Sequence, residues 1–120
     1  LGPEVPALFS NDDALAQSIE SAARDEGDPL WRLPLWEPYD DDLASKVADL
    51  GNVSTTGFAG AIIGGLFLQR FVSRDTHWAH LDLYGWNPRE RPGRPVGGQS
   101  QGIRALYRTL ERRYRAQSTQ

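Results

Sequence analysis

The sequence contains no cysteine and no methionine, and its thirteen Lys and Arg residues include a single lysine, Lys46. Without cysteine there is no disulfide framework, no thiolate zinc site and no cysteine nucleophile; the composition agrees with a reducing compartment. Long apolar runs are also missing. The longest, Phe58 to Leu68, has eleven residues of which three are Gly, well short of the ~20 a membrane span needs. No basic-then-apolar leader opens the chain, and Leu1 stands where an initiator methionine would. The chain is therefore expected to be a processed, truncated or proteolysed piece of a longer product. An excess of positive charge is lacking too: the net charge is −3, so no basic field would hold nucleic acid or an anionic membrane.

What is present suffices for one folded domain. Apolar residues make up 39% of the 120, with four each of Trp, Tyr and Phe, and a chain of this size buries roughly two-thirds of its unfolded surface. Residues 1–120 read as a single unit, with a tail from 115 to 120 expected to fray. Val5 to Phe9 suggests a strand near a sheet edge, because Pro6 cannot donate to a ladder. Ser10 followed by Asp13 resembles an N-cap with an acidic first turn. Leu15, Ile19, Ala22 and Ala23 then recur at helical spacing until Gly27, predicting a helix over 12–26. Pro29 to Tyr39 is expected to be irregular, with Trp31 and Trp36 pressed onto the body. Asp40 opens a second predicted helix through Leu43, Ala44, Val47 and Leu50 to Gly51.

A third helix, about Phe58 to Arg70, is apolar on every side and predicted to be buried all round. Alternation predicts a strand over Trp78–Trp86, with Trp78, His80, Asp82 and Tyr84 on one face and Ala79, Leu81 and Leu83 on the other. Asn87 to Gly98, with three Pro and three Gly, reads as a surface loop. A last helix carries Ile103, Leu106, Tyr107, Leu110 and Tyr114 on the stripe expected to dock. Its arginines, Arg104, Arg108, Arg112 and Arg115, fall on the polar side. Two isolated strands do not make a stable sheet, so sheet partners are expected outside the chain.

Chemistry-bearing clusters are few. His77, His80 and Asp82 are possible metal ligands, but strand geometry turns His77 away from the other two, and two ligands are too few. Hydrogen bonding of His80 and Asp82 to backbone in a packed interior is the alternative. Asp40, Asp41 and Asp42 read as a solvated acidic helix start favoured by the macrodipole. No Gly-x-Ser-x-Gly elbow surrounds Ser54, Thr55 or Thr56. Val96-Gly97-Gly98 lacks the pattern of a phosphate loop.

As strings, several segments resemble the leucyl aminopeptidase family, also called cytosol aminopeptidase. They are Leu8-Phe9-Ser10-Asn11; Gly27-Asp28 with Trp31-Arg32-Leu33-Pro34-Leu35 and Tyr39; Ser45, Ala48-Asp49-Leu50 and Asn52-Val53; Gly60-Ala61, Phe67-Leu68 and Phe71-Val72; and Trp78-Ala79-His80-Leu81-Asp82 with Gly85. Their order and spacing hold over about residues 2–114. The resemblance implies an α/β fold, the C-terminal part of a three-layer α/β/α catalytic domain with a mixed sheet. About four helices and two or three strands of it would lie in this chain. It implies a cytoplasmic parent that removes N-terminal amino acids from peptides with two divalent metal ions, Zn²⁺, Mn²⁺ or Mg²⁺. Homo-oligomers, commonly hexamers, are implied as well. The family's metal ligands and lysines sit in two motifs, one containing Asn-Thr-Asp-Ala-Glu-Gly-Arg. Neither occurs here, and Lys46 matches neither. No catalytic residue and no metal ligand is therefore expected in this chain, which alone should be inactive. Its expected partners are peptide substrates and the missing N-terminal part of the same polypeptide; nucleic acid and membrane are not expected. A non-catalytic scaffold or binding module of the same fold is the alternative.

By match to the family, Val53 after Asn52 falls where the leaving side of the substrate is contacted, and Tyr84 and Asn87 fall near the pocket for the residue removed. Gly51 replaces the first of two adjacent asparagines of many members, of which Asn52 is the second. Tyr84 stands where many have alanine, Ile63-Gly64-Gly65 where the family has Thr-Ala-Ala, and the Gly-rich string at Gly97-Gly98 diverges. Tyr84 either narrows the pocket or fills space opened by Gly64 and Gly65.

Overall fold

A computed structural model describes residues 2–43 and 57–115. Strand β1, Ala7–Ser10, is buried along its whole length and occupies the middle of a mixed sheet, not its edge. Strand β2, Trp31–Arg32, runs parallel to it, and β3, Ala79–Asp82, runs antiparallel on the other side. Pro6 is tolerated there because it precedes the ladder, where it offers only its carbonyl, which accepts the Trp31 N–H at 2.9 Å.

Alternation along β1 separates two layers. Leu8 packs with Ala16 and Ile19 of helix α1, Asp13–Asp25, whereas Phe9 lies under Gly65 of helix α2, Gly60–Gln69. On β3, Leu81 pairs with Leu8 and joins the first layer, and His80 pairs with Phe9 and stacks on its ring. The second layer is completed by a 3-10 helix, Glu37–Leu43, whose Leu43 packs with Ile63 and Leu66. Helix α3, Ile103–Arg115, lies against α1. The result is α/β/α. Each side chain as large as Leu8, Phe9 or Leu43, fully buried, contributes about 1.5–3 kcal/mol.

Several expectations need correction. The N-cap of α1 is Asp12, whose Oδ1 accepts from Ala14 N and Leu15 N at 2.8 and 3.1 Å. Ser10 stays in the strand and donates to Trp78 O at 2.7 Å. Gly27 does end this helix, in a left-handed conformation with Asp28 N returning to Ala23 O. Trp31 and Trp36 are exposed, not pressed down. The second predicted helix is a 3-10 helix as far as Leu43, and its remainder lies outside the described residues. Helix α2 begins at Gly60 because Gly57 and Ala59 both take positive φ, which turns Phe58 outward. It is buried only at Ile63, Gly65 and Leu66. The predicted strand over 78–86 stops at Asp82. The region read as a loop holds a small ribbon, in which β4, Trp86–Asn87, pairs antiparallel with β5, Gly97–Gly98.

The largest reversal is in α3. Ala105 and Thr109 are its buried residues, while Ile103, Tyr107, Leu110 and Tyr114 are each more than half exposed and Leu106 is exposed as well. The arginine side docks. Arg108 Nε donates to Glu26 Oε1 at 2.6 Å, and Arg112 Nη2 to Asp25 Oδ2 at 2.6 Å. Asp25 and Glu26 sit at the C-terminal end of α1, where the macrodipole disfavours acids, and the arginines compensate them. Ala105, being small, allows the two helices to approach.

Candidate functional site

After β3 the chain turns at Gly85, which has φ +70°, into β4. Tyr84, immediately before that turn, is 67% exposed. It borders a cleft of about 230 Å³ together with Asp82, Ala61 of α2, and Pro3 and Val5 of the entry segment. A phenol ring here would decide how much of the cleft is open. It does not fill space left by the helix glycines: a Cβ on Gly65 would meet Leu35 and Phe9, and one on Gly64 would meet nothing within 4 Å.

Asn87, three residues on, is only 1% exposed. Its Nδ2 donates to Arg94 O and Pro95 O, both at 2.8 Å, tying the strand to the loop that closes the ribbon. Asn87 lies between two further clefts, one of about 340 Å³ bordered by Arg94 and Arg104, the other of about 290 Å³ bordered by Pro3 and Glu4. The loop is tied at its tip as well, since Arg91 pairs with Glu4 at 2.7 Å and reaches Gln99 Oε1 at 3.3 Å. Asn87 thus lies inside the ribbon, and Tyr84 is exposed just before the turn that leads into it. Asn52 and Val53 lie outside the described residues, as does Lys46.

Among the described residues no group of three or more His, Cys, Asp or Glu gathers where it could hold a metal ion. His77 Nδ1 instead meets Asp12 Oδ2 at 2.8 Å. His80 is half-buried against Phe9, and Asp82 is exposed rather than packed in an interior. The Leu15 N–H holds the Asp12 carboxyl below the usual carboxylate range against the opposing effect of desolvation, with Ala14 N–H and His77 assisting. Asp40, read as a solvated helix start, forms a two-point pair with Arg70 of the segment after α2. These residues do not fit a dinuclear metal centre.

One functional group escaped sequence reasoning. Asp28, 6% exposed, accepts from the N–H groups of Gly102, Arg104 and Ala105 at 3.0, 3.1 and 3.2 Å. Capping residues are sought next to the helix they cap, and this one is 74 residues from Gly102. The Gly27-Asp28 pair was visible as a string, but its role was not.

Residues 1–107 match the family model described as cytosol aminopeptidase family, catalytic domain. A probable cytosol aminopeptidase of Chlorobium luteolum is 46% identical over 113 residues, 93% of this chain and 22% of that protein. The crystal structure of a cytosol aminopeptidase from Coxiella burnetii superposes with a TM-score of 0.90 at 51% identity, covering 94% of this chain and 25% of that one. The bottromycin maturation enzyme BotP, solved in complex with Mn, gives a TM-score of 0.84 at 37% identity, covering 92% of this chain and 25% of its own. The chain therefore spans about a fifth to a quarter of the length of these relatives.

Proposed function

The chain belongs to the cytosol aminopeptidase family, within whose catalytic domain it lies, and from that premise we propose that the full-length protein is a metallo-aminopeptidase to which these residues contribute fold and pocket wall. Tyr84 carries the reading, because it is an aromatic ring left mostly exposed at the rim of a cleft and the family resemblance puts it where alanine is expected. By match to the family, Asn52 and Val53 are assigned to contact with the leaving side of the substrate, and Asn87, 1% exposed, is assigned a place behind the wall and not in it. The ligands of two divalent metal ions, Zn²⁺, Mn²⁺ or Mg²⁺, are assigned to other parts of the polypeptide, because the two motifs that the resemblance implies for them do not occur in this sequence. The exposed stripe of α3 is assigned to contact with those other parts, and assembly into a homo-oligomer, the hexamer that the family resemblance implies, to the full-length protein. A cytoplasmic location goes with the proposal.

The test compares kcat/KM on leucyl and alanyl substrates for the full-length protein and its Tyr84→Ala form. Opening the pocket is expected to shift the ratio about tenfold, within the range that one or two methylenes supply in a hydrophobic pocket. An unchanged ratio removes Tyr84 from the wall. Turnover by the isolated 120-residue chain, freed of longer forms, would remove the assignment of the catalytic groups elsewhere.

A further inference from the structure

We propose that Asn87 is a positioning residue for substrate selection, acting through Tyr84 and not by touching substrate. The inference rests on the reading of Tyr84 as pocket wall.

Both amide hydrogens of Asn87 are engaged by Arg94 O and Pro95 O at 2.8 Å, and Oδ1 has no protein partner among the described residues. Its side chain therefore works as a two-point donor. Arg94 O also accepts the Arg91 N–H at 3.0 Å, and Arg94 N returns to Arg91 O at 2.8 Å. The loop between β4 and β5 is thus closed at its base by a side chain and at its tip by backbone. Beyond Asn87 the ladder continues toward Tyr84. Asn87 pairs with Gly97, Trp86 with Gly98, and Gln99 N donates to Gly85 O at 2.9 Å. The residue following Tyr84 is therefore pinned by the ribbon that Asn87 secures.

The opposite wall of the cleft is tied to the same ribbon. Arg91 holds Glu4, and Gln101 Nε2 donates to Pro3 O and Glu4 O at 3.0 and 3.1 Å. Pro3 lines the cleft that Tyr84 borders. The loop that Asn87 clamps is therefore connected to both walls, to Tyr84 through the Gly85–Gln99 bond and to Pro3 and Glu4 through Arg91 and Gln101. A carboxylate at position 87 would turn oxygens toward two carbonyls and release it.

The experiment measures the leucyl-to-alanyl ratio of kcat/KM in the full-length protein for Tyr84→Ala, Asn87→Asp and the double variant, with Asn87→Ser as a milder form that keeps one donor. Asn87→Asp is expected to move the ratio about threefold to tenfold in the same direction as Tyr84→Ala. The double variant should add little beyond Tyr84→Ala, since the two residues act in series, and Asn87→Ser should fall between wild type and Asp. A ratio that stays put in folded Asn87→Ser and Asn87→Asp, while Tyr84→Ala moves it, overturns the inference and leaves the pocket-wall reading intact. Additive effects in the double variant overturn it too, because they would mean direct contact. No response to Tyr84→Ala would defeat the pocket-wall reading, and this inference with it.

Discussion

Asp28 and Gly102 meet across the fold, the carboxylate Oδ1 of the first accepting the backbone N–H of the second at 3.0 Å. The other oxygen takes the N–H groups of Arg104 and Ala105. An acid in the loop after α1 thereby caps α3, which begins at Ile103, and satisfies donors that would otherwise be orphaned at a buried helix start.

Removing that acceptor should be costly. Asp28→Ala is expected to destabilise the protein by about 2–3 kcal/mol, the range for a buried group that leaves several donors unpaired. Asp28→Asn keeps one carbonyl oxygen and should lose less. Urea denaturation checks both, and an Ala variant as stable as wild type would mean that water replaces the cap.

Gly102 itself has φ +79°, and a Cβ there would stand 2.6 Å from Leu81 Cδ1. Gly102→Ala is expected to cost about 1–2 kcal/mol from the left-handed backbone, plus whatever displacing Leu81 adds. Gly27→Ala, at φ +57° with nothing within 4 Å, reports the backbone part alone. Equal losses in the two variants would show that Leu81 moves freely.

At the other end of α1, Asp12 predicts a pH dependence. Its folded-state carboxyl is held below the usual range, so the stability it contributes is present above the unfolded value and lost as pH falls through the folded one. Between about pH 5 and pH 2, Tm should fall further in wild type than in Asp12→Asn, which can still cap but cannot titrate. Asp12→Ala should lower Tm by about 5 °C near neutral pH. Parallel Tm profiles for wild type and the Asn form would contradict the assignment.

The reversed docking of α3 gives a paired test on the isolated chain. Ala105→Leu pushes three carbons into the contact with α1 and is expected to cost about 1–3 kcal/mol. Leu110→Ser alters a residue more than half exposed and should change stability by no more than about 0.5 kcal/mol. Chemical denaturation of the two variants decides, and the opposite ranking would mean that the apolar stripe is the docked face.

Local periodicity and stop signals made α1, its end at Gly27 and the two faces of β3 legible, since each depends on residues a few positions apart. His80 and Leu81 fall on opposite sides of the sheet as alternation requires. Neither the exposed position of Tyr84, which the sequence left either narrowing the pocket or filling space beside Gly64 and Gly65, nor the buried amide of Asn87 could be anticipated. Its partners are carbonyls of Arg94 and Pro95, and a carbonyl has no identity in a sequence.

By itself the sequence determined which segments are apolar and how often, hence a helix over about 12–26, a strand somewhere within 78–86 and a final helix with a clean stripe. It also determined the family, through strings whose order spans the chain. Only the tertiary structure decided that β1 is central, that Asp28 caps a helix 74 residues away and that α3 docks through Ala105, Thr109, Arg108 and Arg112. Periodicity measures where apolar groups lie around an axis. Which side of that axis meets a neighbour depends on the charges and volumes of the neighbour, here Asp25 and Glu26 at the end of α1.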